Sequence, residues 1–140
     1  MEEILKFKYI LIPSIVWFVL QLYKVIDNYY RTKKWDWLRI FGNGGMPSTH
    51  SAVVATLTTM IGKSEGITSP IFGVTAIYAF IIMSDAAGVR RNVGRQARVL
   101  NNILNDTNKT SSEKLQEMTG HTPIQVLVGA AIGIIVGMIF

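Results

Sequence analysis

Four apolar segments, over residues 9–26, 47–62, 70–87 and 123–140, bound what this chain can fold into, and polar, basic stretches separate them. A helix needs roughly 17 to 25 predominantly apolar residues to cross the hydrocarbon of a bilayer. The first, third and fourth segments meet that length. The second opens with a polar turn and calls for shelter among the others. Because a bilayer offers no water to backbone amides, spanning segments of this kind are helical. The expectation is therefore all-α: a single membrane domain over 1–140, a bundle of about four transmembrane helices, with a short amphipathic helix in the 92–120 loop.

Of the 140 residues, 49% are apolar and only 16% charged, a balance unusual for a water-soluble domain. The absence of cysteine removes disulfides, thiolate chemistry and cysteine-based metal sites. The net charge of +5 is accounted for by basic loops beside anionic headgroups, so membrane lipids rather than nucleic acid are the expected partners. The opening MEEILKFKYILIPSIVWFVL starts acidic and is followed by no small-residue cleavage site, which favours a retained helix over a signal peptide.

Pro47, Pro70 and Pro123 each open an apolar segment, as suits the first helical position, where a missing N–H costs nothing. Thr122-Pro123-Ile124-Gln125 fits a capping box. Gly129, Gly133 and Gly137 form a doubled G-x-x-x-G pattern, which lets helix backbones approach closely in lipid. The stripe serves either packing within one chain or a homodimer seam. In the long polar loop, Val93, Ala97, Leu100 and Leu104 follow helical spacing. Residues 105–108 read as a turn, and 111–118 as a second short helix. Eleven basic residues flank one side of the spans and three the other. The positive-inside rule then predicts a multi-pass protein of the cell membrane, with both termini outside and both basic loops in the cytoplasm.

With that topology the polar groups converge. His50 starts the second helix, Asp85, Arg90 and Arg91 end the third, and Glu117, His121 and Gln125 precede or open the fourth. Ionisable residues at membrane depth are costly and mark function. Histidines, arginines and helix N-termini together suit phosphate: amide N–H groups and the helix dipole favour anions, and the guanidinium fork matches phosphate oxygens. Gly44 and Gly45 allow close backbone approach. Asp85 is expected to pair with an arginine and aim it. A metal site for Mg²⁺ or Mn²⁺ from Asp85, Glu117 and His121 is the lesser alternative.

The stretches GGMPSTHSA, SDAAGVRR and GHTPIQVLVG resemble, in order, the three signatures of the divergent branch of the type-2 phosphatidic acid phosphatases. That superfamily includes lipid phosphatases, acid phosphatases and vanadium haloperoxidases. Its usual motifs are KxxxxxxRP, PSGH and SRxxxxxHxxxD. The resemblance implies a phosphatase acting on a phosphorylated lipid or isoprenoid carrier, without a metal or other cofactor. His121 would be the nucleophile, His50 the general acid and Arg91 a catalytic arginine. Ser48, Thr49, Gly45, Arg90, Lys34 and Arg39 would bind phosphate, with Lys33 and Lys34 standing where the first motif belongs, which is absent as written. Asp85, Gln125 and Glu117 would orient, with Gln125 where an aspartate is usual. A non-catalytic phospholipid-binding or lipid-moving protein is the alternative.

Overall fold

The computed structural model describes residues 7–37, 40, 45–106, 115, 117 and 120–140. Among them the helices are α1 (Lys8–Thr32), α2 (Thr49–Glu65), α3 (Pro70–Ala87), α4 (Val89–Asp106) and α5 (Pro123–Ile139), and no strand occurs. The expected all-α bundle is thus the observed one. Arg39, Gly44 and most of the expected helix at 111–118 lie outside the described residues.

Local chemistry sets the ends. α1 outlasts its apolar run by a polar turn and stops at Lys33, which adopts φ 57° and donates its N–H to the Tyr29 carbonyl. Ser48 caps α2, its Oγ accepting the Ser51 N–H at 3.4 Å. Pro47 therefore lies outside the helix rather than at its first position, whereas Pro70 and Pro123 do open theirs. Gly88, outside helical φ/ψ, separates α3 from α4. α4 runs on to Asp106, so residues 105 and 106 of the expected 105–108 turn are helical, and 107 and 108 lie outside the described residues.

α2 is the hub. It packs most extensively on α5, and also on α1 and α3. Its buried residues are mostly small or hydroxylated, among them Ser51, Ala52, Ala55 and Thr56, with Met60 and Ile61 buried near its far end. The outward faces instead carry Phe18, Val19, Ile77, Phe80, Ile81 and Ile135, all exposed. An exterior richer in large apolar side chains than the interior is stable when lipid is the solvent. α1 and the helix that contains α3 are long and apolar enough to cross a membrane, and α5 is apolar but shorter.

The glycine stripe explains the tight α2–α5 seam. Gly129 abuts the Ser48 carbonyl, Gly133 the Ala52 carbonyl, and a Cβ on Gly137 would meet Thr59 Cβ at 2.6 Å. This face is filled by α2 of the same chain. At Gly129, Gly133 and Gly137 close backbone approach therefore serves packing within one chain, the first of the two uses expected of the stripe.

Candidate functional site

The polar stretches meet at the end of the bundle where α1 and α3 finish and α2 and α5 start, and backbone hydrogen bonds join them. The Ser48 N–H donates to the Gln125 carbonyl at 3.1 Å, and the His121 N–H donates to the Ala86 carbonyl at 3.0 Å. Carbonyls in a helix's last turn lack partners within the helix, so Ala86 is available for this. Gly120 rests on the Arg90–Arg91 backbone with no room for a Cβ. Gly45 adopts φ 81°, a left-handed conformation that favours glycine.

Around these joints the charged groups gather. Lys24 of α1 is only 6% exposed and acts electrostatically on both His50 and His121. The Arg90 guanidinium donates to the Asp85 carboxylate at 2.6 Å, and both lie close enough to influence His50. His121 is 4% exposed, and its Nδ1 is buried with no hydrogen-bond partner among the described residues. The Gln125 amide and Gly45 backbone lie beside its ring. Burial first, and the Lys24 charge second, hold the His121 pKa below its ordinary value, against an opposing contribution from Gln125. The imidazole is therefore neutral at neutral pH, the form in which its nitrogen is a nucleophile.

Several residues singled out from the sequence sit elsewhere. Ser48 Oγ is fully buried and accepts from both the Ser51 N–H and, at 2.8 Å, the Ser51 hydroxyl; it caps the helix instead of binding an anion. The buried Thr49 hydroxyl donates to Gln21 Oε1 at 3.2 Å, bracing α2 on α1. Of the adjacent arginines, Arg90 is the one acting on His50. Arg91 lines a separate crevice with Arg95, Arg98 and Glu117, because one residue along a helix rotates the side chain by about 100°. Glu117 pairs with Arg98 at 3.1 Å and accepts from Asn101 at 2.9 Å, fastening the segment before α5 to α4. Lys34 lies exposed beyond α1. Gln125 completes the capping box: its Oε1 accepts the Thr122 N–H at 2.9 Å, and its own N–H donates to Thr122 Oγ1 at 3.4 Å. Those bonds occupy amides at the start of α5 that would otherwise face an anion. Asp85 and Glu117 are engaged by different arginines, and no group of three His, Cys, Asp or Glu that could hold a metal occurs among the described residues.

Lys24 is the site residue that the sequence reading passed over as a flanking charge. Its signal was present: Lys24 and Arg31 reproduce the spacing of KxxxxxxR, with Thr32 in place of proline. Arg31 itself is exposed and paired with Asp27 at 2.9 Å. Gln21 was also missed; one turn before Lys24, it donates to the Ile40 carbonyl.

An apolar-faced bundle with its polar groups buried at one end belongs to the class of helical membrane proteins. The sequence pattern of the Divergent PAP2 family matches residues 5–136, and the chain belongs to that family. It is similar to the uncharacterized membrane protein YuiD of Bacillus subtilis (strain 168), with 38% identity over 133 residues, covering 85% of this chain and 84% of that protein. No solved structure matches it. The relative and the apolar helices together place the chain in a membrane.

Proposed function

We propose that the protein hydrolyses a phosphomonoester or diphosphate carried by a lipid or isoprenoid chain, through a phosphohistidine. The observation that supports this is the gathering of His50, His121, Lys24 and the Asp85–Arg90 pair at one end of the bundle. A neutral ring nitrogen of His121 attacks phosphorus, the phosphorus–oxygen bond to the carrier breaks, and His50 gives its proton to the departing oxygen. Water then attacks phosphorus as His50 takes up its proton. The nitrogen–phosphorus bond breaks, releasing phosphate and restoring both histidines. Lys24 and Arg90 offset the charge spread over the phosphoryl oxygens in both steps. The basic asymmetry supports a multi-pass bundle with its site at the cytoplasmic headgroup plane.

The test is phosphate release by the purified protein from a panel of lipid phosphates. Each of His121→Ala and His50→Ala is expected to lower turnover by roughly a hundredfold or more. No release from any substrate, or equal release by the variants, sinks the mechanism. A second reading, a lipid-phosphate-binding protein without turnover, is favoured by one observation. Gln125, the residue placed to hold His121, is uncharged and its Oε1 is already engaged by Thr122. Saturable lipid-phosphate binding with no turnover would establish it.

A further inference from the structure

α1 and α5 both pack on α2 yet share almost no contact with each other. The seam between them is a groove of about 390 Å³. Leu20 and Tyr23 form one wall, Val128 and Ile132 the other, and Met46 and Pro47 close one end. At that same end stands the Asp27–Arg31 ion pair. The groove is thus apolar along its length and charged at one end. Its polar end adjoins Ser48 and lies three residues from His50, whereas Leu20 and Ile132 lie further along their helices from the charged end.

We propose that this groove holds the hydrocarbon chain of the lipid whose phosphate reaches His50 and His121. The inference rests on the lipid-phosphate reading above and names what selects the substrate's tail. An amphiphile entering along the seam sets its charged group beside Arg31 and Pro47, at the level of the histidines, and its chain against Leu20, Val128 and Ile132. A groove at the small end of ligand-site volumes suits one chain. Val128 and Ile132 are then the residues that set the preferred chain length and branching.

The experiment uses the full chain in phosphatidylcholine nanodiscs with a dilute lipid phosphate bearing a diazirine in mid-chain. Labelling at Leu20, Val128 and Ile132 is expected to saturate as the probe fraction rises and to be displaced by unlabelled lipid phosphate. Labelling at the outward-facing Leu127 and Ile135 should rise in simple proportion. Val128→Trp should abolish the saturable labelling and raise KM for long-chain substrates by a larger factor than for a short-chain ester. Ile132→Ala, which removes bulk and preserves packing on α2, should shift the preference towards a bulkier chain. Saturable labelling without turnover overturns the hydrolytic reading and keeps the groove. Turnover with proportional labelling, and no change in chain preference in either variant, overturns the groove and keeps the hydrolase.

Discussion

Lys24 carries a buried charge into the largely apolar run of α1, and its cost is offset only where something nearby uses it. Its effect on His121 gives a direct expectation. Lys24→Gln removes the second-largest influence depressing that imidazole, so the His121 titration, followed by NMR of the ring protons, should move upward towards 6.5. In the native protein, burial and Lys24 keep His121 neutral down past pH 6.5, so the acid limb of kcat/KM is expected below that value. The folded state there binds fewer protons than the unfolded one. The contribution to stability is therefore full above 6.5 and is lost as the pH falls through the folded pKa. Asp85 makes a different prediction. Its pair with Arg90 is more than a third exposed on each side, so Asp85→Asn should change the unfolding midpoint by less than the equivalent of about 1 kcal/mol. The variant removes the carboxylate charge that helps aim Arg90, and kcat/KM should fall about tenfold, the order of one charge-assisted hydrogen bond. Equal losses in stability and turnover would make Asp85 merely structural.

At the scale of helices, the α2–α5 seam is the packing most sensitive to change. Gly133→Leu forces a side chain against the Ala52 carbonyl, and overpacking of this kind costs about 1–3 kcal/mol or more. A lowered thermal midpoint in detergent, against no change for the exposed Ile134→Leu, checks it. The helices themselves were readable because apolar runs, capping residues and prolines are local signals; the Thr122–Gln125 box was visible in four letters. What could not be read was rotation and partner. Ser48 and Lys24 differ in whether they face the histidines or a structural neighbour, which depends on how α1 and α5 sit against α2. Arg90 and Arg91 part for the same reason. The spacing at Val93, Ala97, Leu100 and Leu104 correctly marked a helix, yet Val93 and Leu100 are exposed, while Gly94, Ala97 and Asn101 are its buried side. Val93 and Leu100 suit a helix bathed at the headgroup boundary.

For the whole molecule, the two ends of the bundle differ in charge and so in expected location. A cysteine replacing Ile67, exposed in the α2–α3 turn, should react with an impermeant thiol reagent in intact cells. One replacing the exposed Asn102 of α4 should react only after permeabilisation. The opposite pattern would invert the bundle and place the site in the outer leaflet. The backbone bonds joining Ser48 to Gln125 and Ala86 to His121 connect early parts of the chain to its last helix. During synthesis, α1, α2 and α3 would leave the ribosome and enter the membrane before α5 exists. Until α5 joins the bundle, the nascent protein holds His50 and Lys24 but lacks His121 beside them. On the hydrolytic reading, chemistry that needs both histidines is thereby withheld from half-inserted chains.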